Sequence, residues 1–171
     1  MDDLKQHIRS VPDFPKKGIL FYDISTLMKD ASAFRRAVDR MTLSWLDAEI
    51  DKVVGMESRG FIFAPLLASR LNAGFVMVRK PGKLPAKTLV KSYALEYGED
   101  RLEMHEDAVE RGERVLIVDD LLATGGTARA TVALVEEAGG TVAGLGFLIE
   151  LEELKGRQLR SDHRVESLLL Y

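Results

Sequence analysis

The sequence predicts an α/β fold, a mostly parallel sheet flanked by helices, with a β-hairpin lid inserted into it. Three short apolar runs rich in β-branched residues alternate with segments of helical spacing, the pattern of strands covered on both faces and joined by crossover helices. Between the second and third runs the texture changes to alternating residues on either side of Gly98-Glu99-Asp100, which reads as a hairpin. A chain of 171 residues, 46% hydrophobic, suffices for one compact domain spanning 1–171, and no repeat, linker or low-complexity segment divides it.

The first run is Lys52-Val53-Val54-Gly55-Met56, the second Gly74-Phe75-Val76-Met77-Val78 and the third Arg114-Val115-Leu116-Ile117-Val118. A fourth strand is expected over 142–149. Helices are expected over 31–46, with Phe34, Val38, Met41 and Trp45 on one stripe, over 61–71, and over 127–138, where Gly139-Gly140 supplies the C-terminal stop. The excursion opens at Lys80-Pro81-Gly82-Lys83-Leu84-Pro85 and closes near Asp107. Insertions of this length in compact domains are usually functional or disordered, so residues 80–107 read as a lid that closes over substrates.

Basic residues number 24 and acidic ones 27, for a net charge of −3, and no long single-sign block exists to track a nucleic-acid backbone. Any anionic ligand must be held locally. The absence of cysteine excludes a disulfide framework, a thiolate metal site and a cysteine nucleophile. The start Met1-Asp2-Asp3-Leu4-Lys5 lacks the basic-then-apolar order of a signal peptide, and no apolar run approaches bilayer length, so a cytoplasmic location without membrane or nucleic-acid partners is expected. His7, His105 and His163 are scattered without metal-ligand spacing, and Trp45 reads as core.

The most informative stretch runs Val115-Leu116-Ile117-Val118-Asp119-Asp120-Leu121-Leu122-Ala123-Thr124-Gly125-Gly126-Thr127. A buried strand delivers two adjacent carboxylates at its C-terminal end, where ligands bind in open α/β sheets. A loop of small residues then leads into a helix. Gly125 and Gly126 let backbone N–H groups converge, Thr124 and Thr127 add hydroxyls, and the helix N-terminus adds partial positive charge, a cradle suited to a phosphate monoester. Ionised Asp119 and Asp120 only accept hydrogen bonds, and the vicinal hydroxyls of a ribose are natural donors to them. A diol-binding pair beside a phosphate cradle describes a 5-phosphoribosyl group.

This run resembles the signature by which the type I phosphoribosyltransferases bind 5-phosphoribosyl-1-pyrophosphate (PRPP). Three further stretches resemble the adenine-specific branch: Pro12-Asp13-Phe14-Pro15 with Gly18 to Ser25; Glu57-Ser58-Arg59-Gly60-Phe61; and Arg79-Lys80-Pro81-Gly82-Lys83-Leu84-Pro85 with Leu95-Glu96-Tyr97-Gly98. The resemblance runs from about residue 8 to about residue 155. It implies a type I phosphoribosyltransferase core with a small N-terminal hood over residues 1–25, and transfer of phosphoribose from PRPP to N9 of adenine, giving AMP and pyrophosphate. It assigns Ser58, Arg59 and Gly60 to a pyrophosphate loop with a non-proline cis peptide at or beside Ser58. The same likeness gives Arg79, Lys80 and Lys83 to substrate binding, Lys83 as the more direct pyrophosphate contact, and Leu20, Phe21 and Tyr22 to the base. The family often has Arg where this chain has Tyr22. Glu96 is implied as the catalytic proton acceptor, with Tyr97 ordering the closed lid, Mg²⁺ bound mainly through PRPP and pyrophosphate, and a homodimer whose interface lies near residues 59–71.

Residue chemistry also supports parts of this map. The Glu57-Ser58-Arg59-Gly60 loop follows a strand and opens a helix, so it is a second anion-receptive strand end, and Arg59 can fork onto two phosphate oxygens. Phe21 can stack on a purine face. A nucleotide triphosphatase is excluded because no Gly-x-x-x-x-Gly-Lys-Ser/Thr loop exists, and Gly139-Gly140 with Gly144-Leu145-Gly146 leads into a strand rather than a helix, which excludes a dinucleotide fingerprint. The alternatives left are a phosphoribosyltransferase for another base and a non-catalytic PRPP-sensing regulator.

Overall fold

The computed structural model describes residues 3–94, 99–160 and 162–171. The chain separates into two compact units, Met1–Arg40 and Met41–Tyr171.

The first unit holds a 3₁₀ turn, Asp3–His7, strands β1 (Arg9–Pro12) and β2 (Leu20–Asp23), the short helix α1 (Ser25–Met28) and most of α2 (Ala31–Leu43). β1 and β2 pair antiparallel, from Arg9 opposite Asp23 to Pro12 opposite Leu20. Their turn is closed by Asp13, whose Oδ1 accepts the Gly18 N–H at 2.7 Å. The Arg9 Nε donates to Asp23 at 3.0 Å, and this contact with the Ser25 hydrogen bonds holds the Asp23 carboxyl down at about 2. Asp30 starts α2 as an N-cap, its Oδ1 accepting from the N–H groups of Ser32 (3.0 Å) and Ala33 (2.9 Å).

In the second unit, β3 (Lys52–Met56), β4 (Gly74–Val78), β7 (Arg114–Leu122), β8 (Thr141–Glu150) and β9 (Val165–Leu170) form one parallel sheet in the order β4-β3-β7-β8-β9. Helix α3 (Gly60–Arg70) joins β3 to β4, and α4 (Gly126–Glu137) joins β7 to β8. The chain moves away from β3 in one direction through α3 and later returns on its other side as β7. The strand order therefore reverses between β3 and β7, and right-handed crossovers taken in opposite directions put α3 and α4 on opposite faces. Continuous apolar sequence matches this double covering, with Val53, Val54, Leu116, Ile117 and Leu148 fully buried.

The expected strands and helices form, with shifted ends. Helix α2 stops at Leu43 because the chain turns there, the Trp45 N–H donating to the Thr42 carbonyl, and Trp45 is buried as a core residue. β7 runs on to Leu122, so both carboxylates lie within the strand. Strand β9 is one that the apolar-run criterion does not find.

Strands β5 (Thr88–Ala94) and β6 (Glu99–His105) form the expected antiparallel hairpin. Its body does not hang free. Arg79 and Glu103 exchange backbone hydrogen bonds at 2.9 and 2.8 Å, and Tyr93, Leu102 and Met104 belong to the same buried cluster as Val76, Val78 and Ile117. Leu102 and Met104 are packed in that cluster, and stripping them from it would cost about 3 kcal/mol or more.

Candidate active site

The crevice lies at the reversal between β3 and β7, where open α/β sheets bind ligands outside the carboxyl ends of their strands. β7 pairs with β3 only as far as Val118 opposite Gly55, and beyond it Asp119 and Asp120 stand past their neighbour. Being consecutive in a strand, their side chains leave on opposite faces.

Past Leu122 the loop reaches Gly125, whose φ of 81° and ψ of 4° fit the left-handed region that side chains resist. Helix α4 begins at the next residue and no side chain caps it, so its first-turn N–H groups are left for a ligand. A cavity of about 80 Å³ opens there, lined among others by Asp119, Ala123, Thr124, Gly125, Gly126 and Thr127.

The second strand end begins after Met56. The Glu57–Ser58 peptide bond is cis, as the resemblance implies, and Arg59 precedes the uncapped start of α3 at Gly60. A side chain at Gly60 would stand 3.0 Å from Asp119 Oδ1 and 3.0 Å from the Val118 carbonyl oxygen, so glycine lets α3 start against the carboxylate strand. A larger cavity, about 320 Å³, is lined by Ser58, Arg59, Lys80, Tyr93, Asp119 and Asp120, together with Glu57, Leu102, Leu121 and Thr127. Asp119, Leu121 and Thr127 border both cavities and so join them.

Charge is arranged in pairs. The Arg59 Nε lies 2.9 Å from Asp120 Oδ2, and Asp120 is almost fully buried. Burial pushes the Asp120 carboxyl up while Arg59 pulls it down, leaving it above its ordinary value. Burial and then the neighbouring Asp120 charge push Asp119 well up, although its Oδ1 accepts the Asp120 N–H at 2.9 Å. Glu57 Oε2 accepts from the Arg79 Nε at 2.9 Å and from the Lys80 N–H at 3.1 Å, tying this loop to the start of the excursion. The Lys80 ammonium reaches the Asp100 carboxylate and the Tyr93 hydroxyl; burial opposes its charge, but these partners hold its pKa up.

Ser58, Arg59, Gly60, Lys80, Asp119, Asp120 and the 123–127 loop are thus gathered at one crevice. Arg79 stands one step back on Glu57, with its guanidinium 5.9 Å from the Phe61 ring centre. Lys83 is exposed and lines neither cavity; its carbonyl receives Arg79 at 3.5 Å. Leu20, Phe21 and Tyr22 form β2 in the first unit, where Phe21 packs edge-on against Phe14 at 5.1 Å. Glu96 and Tyr97 lie outside the described residues. Tyr93 and Asp100 join the site without having been singled out by motif, and Glu57, which opens the Glu57-Ser58-Arg59-Gly60 motif, gains a role of its own by pairing Arg79; a tyrosine on the alternating strand, whose hydroxyl needs a partner once buried, is the signal for Tyr93. Among the described residues no group of three or more His, Asp or Glu side chains is disposed to hold a metal ion, and no helix is long and apolar enough to cross a membrane.

Comparison with known proteins agrees with this geometry. The family described as the phosphoribosyl transferase domain matches residues 27–168. The adenine phosphoribosyltransferase of Solibacter usitatus is 61% identical over 171 residues, covering 100% of this chain and 99% of the relative, and that of Thermotoga neapolitana is 53% identical over 169 residues, covering 99% of each. The crystal structure of the Thermoanaerobacter pseudethanolicus adenine phosphoribosyltransferase superposes with a TM-score of 0.96 at 50% identity, covering 99% of this chain and 98% of the other. That of the Saccharomyces cerevisiae enzyme, complexed with an imino-altritol bisphosphate and adenine, gives 0.92 at 40% identity over 98% and 97%. A family match over residues 27–168 and relatives matched over the full chain at this level of identity place the protein in the adenine phosphoribosyltransferase family of the type I phosphoribosyltransferases.

Proposed function

We propose that the chain transfers the 5-phosphoribosyl group of PRPP to N9 of adenine, giving AMP and pyrophosphate, with the following division of labour. The 5′-phosphate sits on the backbone cradle of Ala123, Thr124, Gly125, Gly126 and Thr127, where convergent N–H groups and the α4 dipole meet its charge. Asp119 and Asp120 accept the ribose hydroxyls and offset the positive charge that develops on the ring as the C1–O bond to pyrophosphate breaks. The departing pyrophosphate, with both electrons of that bond, is received by Ser58, Arg59, Gly60 and Lys80, with Arg79 and Lys83 adding positive potential. The observation that carries this reading is the position of Asp119, which borders both cavities and so stands where the two halves of PRPP would meet.

Adenine stacks on Phe21, with the Leu20 backbone reading the ring edge and Tyr22 beside it. Attack needs a free lone pair on N9, so the reacting tautomer carries its proton on N7. Glu96, two residues beyond β5, accepts that hydrogen bond and takes the proton as the new bond forms, and Tyr97 orders the segment around it. This assignment rests on the family resemblance of Leu95-Glu96-Tyr97-Gly98 and on the chemistry adenine requires. Mg²⁺, when bound with PRPP, would neutralise phosphate charge, and the donor set fits it: the hard carboxylate oxygens of Asp119 and Asp120 border a phosphate-receptive cavity, suiting an ion that keeps waters and phosphate oxygens as ligands. A cytoplasmic homodimer, acting as a single catalytic domain with an N-terminal hood and a lid, completes the reading.

Steady-state assays of the purified protein with PRPP, Mg²⁺ and a panel of bases test it. AMP should form from adenine, with hypoxanthine, guanine and orotate much poorer. Equal or better turnover of any of those three overturns the adenine assignment; no turnover of any base by folded protein that binds PRPP favours a regulator.

A further inference from the structure

A part of the molecule that the mechanism leaves unused sits directly behind the phosphate cradle. After β8 the chain passes through two 3₁₀ turns, Glu152–Leu154 and Gly156–Arg160. Gly156 is buried, and a side chain there would come within 2.2 Å of the Ala123 carbonyl oxygen and 3.0 Å of Leu122 Cδ1. The cradle loop therefore rests on the bare backbone of Gly156. The next residue, Arg157, is fixed by a two-pronged contact with Glu150, Nε to Oε1 at 3.0 Å and Nη2 to Oε2 at 2.6 Å, and its Nη1 donates to the Val165 carbonyl at 2.9 Å.

Glu150 is itself buried, and it stands opposite Leu122, the last residue of β7, in the β7/β8 register. The Leu151 N–H donates to the Leu122 carbonyl at 2.9 Å, so the end of β8 holds the end of β7 just before the cradle begins. Glu150 thus ties two things together: the strand that delivers the cradle, through the β7/β8 ladder, and the glycine that backs it, through Arg157. A fork geometry fixes direction as well as distance, which a single ammonium contact would not. A cradle that binds through backbone N–H groups depends on where its backbone is held, and a displacement of about 1 Å costs up to about 10²-fold.

The geometry points to Glu150, Arg157 and Gly156 as positioning residues that hold the 123–125 loop at the spacing a terminal phosphate monoester needs. This rests on the phosphoribosyl reading of the crevice. The three residues touch no substrate; they act through Ala123. Their effect should fall on the 5′-phosphate end alone, because the pyrophosphate end is built on β3 and α3, away from this contact.

The test is calorimetric titration of the wild-type protein, Gly156→Ala and Arg157→Lys with ribose 5-phosphate and, separately, with pyrophosphate, alongside the melting temperature of each. Gly156→Ala should weaken ribose 5-phosphate about 10-fold and Arg157→Lys about 3-fold, with pyrophosphate affinity unchanged within about 2-fold in both. Equal weakening of the two ligands, or no weakening of either, overturns the proposal. If Gly156→Ala does not fold, Arg157→Lys decides on the same criterion. Failure of the wild-type protein to bind ribose 5-phosphate would overturn the phosphoribosyl reading and the clamp with it, whereas normal binding by wild type and variants alike overturns the clamp alone.

Discussion

The ends of β3 and β7 share a plan, strand then loop then uncapped helix, yet they meet anions by different means. At β7 the cradle from Ala123 to Thr127 contains no charged side chain, and its donors are backbone groups fixed by the left-handed Gly125 and the start of α4. At the β3 end, and at the neighbouring end of β4, the donors are charged side chains, and each has an acidic partner: Arg59 with Asp120, Arg79 with Glu57, Lys80 with Asp100. The difference is one of pre-organisation. A backbone cradle has its shape before any ligand arrives, whereas the β3 end keeps its cations paired until pyrophosphate competes for them. Leaving the buried Asp120 carboxylate without a partner would be costly, and the half-buried Arg59 offsets that cost in the free protein. The larger cavity belongs to the side that must rearrange.

The largest effect should come from the carboxylates at the junction of the two ends. Asp119→Asn and Asp120→Asn should each lower kcat/KM by about 10²-fold or more in steady-state assays, as expected for losing one preorganised charge that stabilises a developing cation. Asp120→Asn should also tighten pyrophosphate, because it frees Arg59 from the carboxylate that competes for it, and Asp119→Asn should change it less. Near-normal activity in both variants would make the pair structural.

Glu96→Gln keeps size and hydrogen-bond acceptance but cannot take a proton. Its kcat should fall about 10²-fold with PRPP binding little changed, the split expected of a general base. A variant with wild-type kcat removes Glu96 from the mechanism.

Gly125→Val places a β-branched side chain at φ 81° and should deform the backbone cradle. The KM for PRPP should rise about 10-fold while that for adenine stays within about 2-fold. A larger change in the adenine value would show that the two sites are not independent.

The sequence reveals local features of this fold and hides those that only the sheet brings together. The apolar runs of β3, β7 and β8 are buried on both faces, β4 keeps an apolar run although Phe75 and Met77 are exposed on one face, and the small-residue loop after Asp120 is a local motif, so a linear reading finds them. β9 is only half-buried along most of its length and carries Glu166 and Ser167, so its apolar signal is diluted. β1 and β2 are four residues each, partly exposed, with Pro12 ending the first. At the site, Arg59 and Asp120 meet across many residues, as do Glu57 with Arg79 and Lys80 with Asp100, and no short-range pattern encodes a pair that only the sheet order brings together. The Glu150–Arg157 contact is close in sequence, but its purpose appears only once Gly156 is seen against Ala123.

A smaller effect concerns stability without ligand. Asp119 has its pKa raised by burial and by the Asp120 charge, so ionising it disfavours the folded state. That penalty is absent below the ordinary carboxylate value of 3.8 and grows as pH rises above it. Asp119→Asn should therefore melt about 2 °C or more above wild type at neutral pH, with the gap closing below about pH 4. An unchanged or lower melting temperature at neutral pH would mean that the carboxylate is better satisfied in the free protein than its surroundings indicate.

The division of labour between the two strand ends is tested most directly by amide ¹H–¹⁵N chemical-shift mapping of the unmodified protein. Ribose 5-phosphate should move the amide signals of Thr124, Gly125, Gly126 and Thr127 and leave those of Ser58, Arg59 and Gly60 near their free positions, and pyrophosphate should do the reverse. If both ligands move the same set of amides, the two ends form one undivided anion site and this account of the crevice is wrong.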